Sequence, residues 1–264
     1  MAQRPLATGT LVTGGASPQG DARLVKRYRR IRASSGGGFL YSRLVSDRVG
    51  TIVAALAEPR NVHPSVLTLG NLAVGVAGSA LVVLGDGAKA ISITGLVGII
   101  LWQLAYALDC ADGQLARAMG RTSPSGARLD TFVDLAVQTS VLVAIASVVE
   151  RWSHPPTALI VILVGTWYVN FIGYLHDRID AKAVPSLLPS RAALISVVKL
   201  SRDYGFVALM LGAWLAFAPT TLLIPVLGIT AVNVATLAAY VAQATLISLR
   251  SPTEAQDAGT GEPG

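Results

Sequence analysis

Residues 204–249 read YGFVALMLGAWLAFAPTTLLIPVLGITAVNVATLAAYVAQATLISL, a run of 46 residues without Asp, Glu, Lys or Arg. A helix needs roughly 20 mostly apolar residues to cross a bilayer, so this run is long enough for two spans. The chain as a whole agrees, because 52% of its 264 residues are hydrophobic and only 14% are charged, against about 25% charged residues in a typical soluble domain. The sequence therefore predicts an all-α integral membrane protein.

Further weakly charged stretches bring the prediction to six transmembrane helices. The predicted spans are 64–85, 90–109, 129–149, 155–175, 200–218 and 222–248. Residues 39–57, which mix apolar side chains with Arg43, Asp47 and Arg48, suit an amphipathic juxtamembrane helix that lies on the membrane surface.

The distribution of Lys and Arg predicts the orientation of these spans. In the six-span arrangement 19 of the 21 basic residues lie on one side, and only Lys89 and Arg151 lie on the other. Basic loops remain in the cytoplasm. We therefore expect a multi-pass protein of the cell membrane with both termini in the cytoplasm.

Three regions follow from this arrangement: a flexible basic cytoplasmic tail over 1–38, a membrane domain over 39–249 and a disordered tail over 250–264. The basic run 23–32, RLVKRYRRIR, is interpreted as a signal for topology, with contact to anionic lipid headgroups as the alternative. Because no soluble domain follows it, we expect no nucleic-acid partner. The single cysteine, Cys110, excludes a disulfide framework and a cysteine-based zinc site.

Four aspartates lie in the segment 109–134, DCADGQLARAMGRTSPSGARLDTFVD. Asp109 and Asp112 are three residues apart and share a helix face, and Asp130 and Asp134, four apart, share a face of the next helix. A short connection makes the two helices antiparallel neighbours, so the carboxylates can converge. Oxygen-only ligands favour Mg²⁺ or Mn²⁺, which commonly serve phosphoryl chemistry.

Small and basic residues beside the carboxylates suit a phosphate ligand. Gly113 and Gly126 allow a ligand to approach the backbone closely. Arg117, one turn after Gly113, suits bidentate binding of a phosphate.

Eight positions of this segment match the signature of the CDP-alcohol phosphotransferases (CDP-alcohol phosphatidyltransferases), a family that the chain resembles over about residues 40–249. The matching pattern is Asp109-x-x-Asp112-Gly113-x-x-Ala116-Arg117, eight further residues, and Gly126-x-x-x-Asp130-x-x-x-Asp134.

The resemblance implies an enzyme of phospholipid biosynthesis that displaces CMP from CDP-diacylglycerol with the hydroxyl of an alcohol. It implies two Mg²⁺ or Mn²⁺ ions on the four aspartates, with Asp134 also acting as the general base, and a homodimer in the membrane. The orientation predicted from Lys and Arg places the active site at the cytoplasmic face. The residues that it places around the CDP group are Thr68, Asp112, Gly113, Ala116, Arg117 and Gly126.

The sequence indicates the identity of the acceptor alcohol less clearly than the class of reaction. Arg191, Lys199 and Arg202, at or before the predicted fifth span, are candidates to bind an anionic acceptor, although basic flanking residues are also ordinary in cytoplasmic loops. Arg202-Asp203 followed by Gly205 loosely resembles the inositol-phosphate-transferring branch. The order of expectation is inositol phosphate, then glycerol phosphate, then free inositol or serine, with a soluble CDP-polyol as an alternative donor.

Two other classes of protein also use clustered aspartates. A divalent-cation transporter would explain the carboxylates but not Gly113, Arg117 and Gly126 at their spacing. A prenyl-diphosphate transferase usually carries a second Asp-rich motif, and the sequence has none after residue 134.

Overall fold

The computed structural model describes residues 18–35, 40–85, 92–179 and 203–250. Within these ranges the regular structure is helical, without a strand. The α-helices are α1 (Pro18–Ala33), α2 (Asp47–Ala57), α3 (Pro64–Leu84), α4 (Ile93–Ala118), α5 (Pro124–Ser153), α6 (Thr157–Ile179), α7 (Tyr204–Phe217) and α8 (Leu223–Arg250). A π-helical turn over Ser42–Ser46 precedes α2, and short 3₁₀ turns follow α2 (Glu58–Arg60) and α7 (Pro219–Thr221).

The described helices confirm an all-helical protein and support a membrane location. Four segments have the length and apolar character of membrane spans, and two shorter apolar helices accompany them. The four are Pro64–Leu84, Ile93–Ala118, Pro124–Ser153 and Pro219–Ala239, and the shorter two are Thr157–Val169 and Tyr204–Phe217. The count of six spans and the side on which the termini lie remain predictions.

Local signals at the start of α3, α4 and α5 explain where these helices begin. Ser92 and Ser123 each accept a hydrogen bond from a backbone N–H of the first turn, and Pro64 and Pro124 occupy the first turns of α3 and α5. Such side chains satisfy first-turn donors that have no partner within the helix, and proline there loses nothing because its missing N–H is one of them. As a result α5 begins at Pro124, five residues before the predicted span.

Helices α3, α4 and α5 form the centre of the structure. Trp102 of α4 is almost fully buried, and its indole N–H donates to Ser79 Oγ of α3 at 3.0 Å. Ser79 in turn lies 2.9 Å from Ser140 Oγ of α5. Gly75 of α3 permits this packing, because a Cβ there would lie 2.6 Å from a methyl group of Val137. The motif segments are thereby held on a closely packed set of helices.

The described part of the N-terminal tail differs from the prediction. A flexible tail is predicted through residue 38, but residues 18–33 form α1, and its Ile31 is fully buried in a cluster with Ala54 and Ala55 of α2. Leu24, Tyr28 and Ile31 follow helical spacing, a pattern that the surrounding basic residues obscured. Residues 1–17 and 36–38 lie outside the described part of the chain.

Ion pairs also join α1 to the segment before α3. Arg27 contacts Glu58 at 3.1 Å, Arg30 contacts the same carboxylate, and Arg32 contacts Asp47 at 3.2 Å. Asp47 also accepts a hydrogen bond from Gln114 Nε2 of α4 at 3.4 Å. Several of the basic residues that the sequence assigned to a solvated tail are therefore paired.

Truncation of Ile31 tests whether α1 docks on α2 in the membrane-embedded protein. We expect Ile31→Ala to weaken the docking of α1 by about 2 to 4 kcal/mol, because the substitution leaves a cavity in a packed cluster. Hydrogen exchange of residues 18–33 in purified protein measures this. Val25→Ala, at a half-exposed position of the same helix, is the control. Equal exchange in the two variants would contradict the docked arrangement.

Candidate active site

Three of the four motif aspartates come together between α4 and α5. Carboxylate oxygens of Asp109, Asp112 and Asp130 all lie within 4.8 Å of one another. Asp112 is buried, with 5% of its surface exposed. Asp134 lies one turn after Asp130 on α5 and is outside this close group. The helical spacing thus brings the two halves of the motif together.

Helix α3 supplies hydrogen-bond donors to these carboxylates. The hydroxyl of Thr68 donates to Asp112 Oδ2, and the amide of Asn71 donates to Asp109 Oδ1 at 3.5 Å. Both side chains are buried. The hydroxyl of Thr68 bonds to Asp112, and its predicted place beside the CDP group stays a prediction. Asn71 was missed, and its signal was an amide one turn after Thr68 in an otherwise apolar helix.

The other predicted CDP-binding residues lie on α4 and α5. Arg117 is exposed, and its guanidinium group lies over Gly113, because a Cβ at Gly113 would be 3.3 Å from Arg117 Nη1. Ala116 precedes Arg117 and is half-buried. Gly126 lies in the first turn of α5, and its N–H donates to Ser123 Oγ at 3.0 Å. An exposed cation therefore lies near the C-terminal end of α4, over the residue that follows Asp112.

The predicted acceptor residues Arg191, Lys199 and Arg202 lie outside the described residues. The adjoining Asp203 is fully buried, and its carboxylate accepts hydrogen bonds from the backbone N–H and the hydroxyl of Ser42, both at 2.9 Å. Ser42 Oγ also lies 2.7 Å from the hydroxyl of Tyr106. This network, which sequence reasoning missed, ties the turn before α2 to the start of α7.

A second bridge runs beside it through Tyr41. The Tyr41 hydroxyl donates to Gln103 Oε1 at 2.6 Å, and Gln103 Nε2 donates to the carbonyl of Gly205 at 3.1 Å. Burial, and then the charge of Asp203, raise the pKa of Tyr41 above its ordinary value. The hydroxyl thus stays protonated at neutral pH and remains a donor to Gln103.

The donor set fits a hard divalent cation. Three carboxylates this close repel one another strongly in a partly buried site, and a cation relieves that repulsion. All-oxygen ligands are those that Mg²⁺ and Mn²⁺ prefer. Asp109, Asp112 and Asp130 are the residues that could hold such an ion, and Thr68 and Asn71 would orient two of them.

Comparison with known proteins agrees with this arrangement. Residues 61–247 match the family model described as CDP-alcohol phosphatidyltransferase. The chain is also 36% identical, over 127 residues, to the bifunctional IPC transferase and DIPP synthase of Thermococcus kodakarensis. That match covers 46% of this chain and 27% of the length of the relative. Because the family model spans well over half of the sequence and includes the whole carboxylate motif, the chain belongs to the CDP-alcohol phosphatidyltransferase family.

Proposed function

We propose that this protein transfers the phosphatidyl group of CDP-diacylglycerol to the hydroxyl of an alcohol and releases CMP. The observation that carries the proposal is the convergence of Asp109, Asp112 and Asp130 within 4.8 Å, on the segment that the family model covers. The proposed enzyme is a homodimer of the cell membrane, with its site at the cytoplasmic face.

Different residues bind the metal ions, orient the carboxylates and bind the diphosphate in the proposed reaction. Two Mg²⁺ or Mn²⁺ ions, held by Asp109, Asp112, Asp130 and Asp134, would neutralise the diphosphate charge when bound. Thr68 and Asn71 keep Asp112 and Asp109 oriented by donating hydrogen bonds to them. Arg117 binds the diphosphate, and the absence of a side chain at Gly113 and Gly126 lets it approach the helices.

The proton and the leaving group have definite destinations in this scheme. The acceptor oxygen forms a bond to the phosphorus that carries the diacylglycerol group, while the bond from that phosphorus to the bridging oxygen breaks. CMP leaves with that oxygen, and Asp134 takes the proton of the acceptor hydroxyl. A positioned general base contributes about 10²- to 10⁴-fold to the rate.

A phosphorylated polyol is the proposed acceptor, with inositol phosphate ahead of glycerol phosphate. Support comes from the basic residues Arg191, Lys199 and Arg202 and from the printed name of the Thermococcus relative, an IPC transferase and DIPP synthase. Free inositol and serine are the remaining candidate acceptors, and a soluble CDP-polyol is the alternative donor.

An acceptor panel tests this function. Purified protein in liposomes receives CDP-diacylglycerol, or a CDP-polyol, with Mg²⁺ or Mn²⁺ and one acceptor at a time: inositol phosphate, glycerol phosphate, inositol or serine. CMP release and the mass of the product are measured. We expect release with inositol phosphate. Absence of release with every donor and acceptor would overturn the proposal.

Replacing Arg202 tests the acceptor pocket. We expect Arg202→Ala to raise the KM for the acceptor about 10-fold or more, with a smaller change for the donor, because a charge-assisted hydrogen bond to the acceptor phosphate is lost. Steady-state CMP release at varied acceptor and donor concentrations measures both constants. Arg23→Ala, at an exposed position of α1, is the charge-matched control. Equal effects on the two substrates would remove Arg202 from the acceptor pocket.

A further inference from the structure

Tyr204 is the first residue of α7, and its hydroxyl is unusual among the buried polar groups that the structure describes. The hydroxyl oxygen is buried and has no hydrogen-bond partner among the described residues. A buried polar group without a partner is unfavourable for folding, so native proteins rarely retain one without a reason. The direction in which this hydroxyl points is therefore informative.

The ring of Tyr204 is held in place from several helices. It meets the ring of Tyr106 edge to face, with centroids 5.6 Å apart and planes at 81°, and it meets Trp167 of α6 at 6.4 Å and 70°. Trp167 is itself fixed, because its indole N–H donates to Gln138 Oε1 of α5 at 3.0 Å. At the neighbouring Gly205, a Cβ would lie 2.3 Å from the Tyr106 ring, so only glycine admits this approach.

The backbone at Tyr204 is also anchored. The preceding Asp203 is bound through both carboxylate oxygens to Ser42, and the carbonyl of the following Gly205 accepts from Gln103. The phenol is thus a preorganised donor rather than a side chain free to turn towards another partner.

The ring contacts place Tyr204 beside the carboxylate site. Tyr106 lies one turn before Asp109 on α4, and Trp167 bonds to Gln138, one turn after Asp134 on α5. Tyr106, which contacts Tyr204, precedes both α4 carboxylates in the sequence. Gly113 and Arg117 follow both of them on the same helix. Seven residues of helix separate Tyr106 from Gly113, about 10 Å along the axis. The unsatisfied hydroxyl therefore stands at the end of the carboxylate site opposite the proposed diphosphate end.

We propose that the Tyr204 hydroxyl is a further substrate-binding group, which donates a hydrogen bond to the acceptor alcohol held against Asp134. This inference rests on the proposed function. In this arrangement the acceptor hydroxyl donates its proton to Asp134, one lone pair of its oxygen accepts from Tyr204, and the other faces the phosphorus. Holding the nucleophile in one orientation is a recognised source of rate enhancement.

The test is Tyr204→Phe in the purified wild-type background. We expect kcat/KM for the acceptor to fall about 10-fold or more, from the loss of one substrate hydrogen bond, while the KM for CDP-diacylglycerol changes little. The melting temperature should stay the same or rise, because the variant removes a buried hydroxyl that has no hydrogen-bond partner within the described ranges. If Tyr204 had only a structural role, Tyr204→Phe would lower the melting temperature and leave kcat/KM for the acceptor unchanged.

Tyr41→Phe is the matched control. It also removes one phenolic hydroxyl beside α7, but that hydroxyl donates to Gln103, so we expect a lower melting temperature and an unchanged ratio of acceptor to donor KM. If the wild-type protein releases CMP and Tyr204→Phe matches it in every constant, this inference is wrong while the proposed function stands. A rise confined to the donor KM would equally overturn the assignment to the acceptor. If the wild-type protein releases no CMP with any donor or acceptor, the proposed function fails, and this inference fails with it.

Discussion

Asp134→Asn is expected to reduce CMP release by about 10²- to 10⁴-fold, the contribution of a positioned general base. An amide of nearly the same shape replaces the carboxylate, so the packing of α5 is preserved while the group that takes the acceptor proton is lost. The three-carboxylate group of Asp109, Asp112 and Asp130 keeps its charges. We therefore expect CDP binding, measured with the purified variant in the presence of Mg²⁺, to be largely retained.

The carboxylate of Glu150 provides the control for this substitution. Glu150 is exposed near the other end of α5, and its ion-pair contact with His154 is 4.0 Å long. Glu150→Gln also removes one negative charge from α5 and should leave turnover unchanged. Normal turnover by Asp134→Asn would exclude Asp134 as the base. Loss of both turnover and CDP binding would instead assign it to the metal site alone.

Asp112→Asn is expected to weaken metal binding and turnover together. Asp112 is buried in the site, where it accepts a hydrogen bond from the hydroxyl of Thr68. One of its carboxylate oxygens lies within 4.8 Å of carboxylate oxygens of Asp109 and Asp130. Asparagine can still accept from Thr68, so the variant removes one charge with little change of shape. Because loss of an outer hydrogen-bond partner of a metal ligand costs about 10- to 100-fold, we expect loss of the ligand itself to cost more.

The Mg²⁺ concentration that gives half-maximal CMP release measures this effect, and Mn²⁺ binding followed by paramagnetic resonance measures it without turnover. Glu150→Gln again serves as the charge-matched control. An Asp112→Asn protein with the Mg²⁺ requirement and Mn²⁺ affinity of the wild type would contradict a metal role for this carboxylate. The melting temperature separates a binding defect from a folding defect.

The convergence of the carboxylates could be predicted from sequence because it follows from local geometry. Spacings of three and four residues place Asp109 with Asp112, and Asp130 with Asp134, on single helix faces. The connection over residues 119–123 is short, so the helices must be neighbours. The contacts from α3 could not be derived in this way, because the rotation of α3 about its axis depends on packing between Gly75 and Val137. Asn71 consequently reaches Asp109 through a tertiary arrangement that spacing does not encode.

The hydrogen bonds around Asp203 also could not be predicted from the sequence. Ser42 and Asp203 are 161 positions apart in the sequence, and no periodicity relates them. Helix α1 was missed for another reason. Its apolar positions Leu24, Tyr28 and Ile31 lie within a strongly basic stretch, and the helix is stabilised by packing on Ala54 and Ala55 and by ion pairs with Glu58 and Asp47. Composition alone makes such a segment resemble a solvated tail.

The proposed phosphatidyl transfer is tested most directly by measuring its stoichiometry and its dependence on metal. Wild-type protein in liposomes is given CDP-diacylglycerol and inositol phosphate, and CMP and the lipid product are quantified with Mg²⁺, with EDTA, and after Mg²⁺ is restored. The expected result is one CMP for each phosphatidylated acceptor, loss of both products in EDTA and their return with Mg²⁺. Formation of the two products at an unchanged rate in EDTA, or CMP release without a phosphatidylated product, would contradict it.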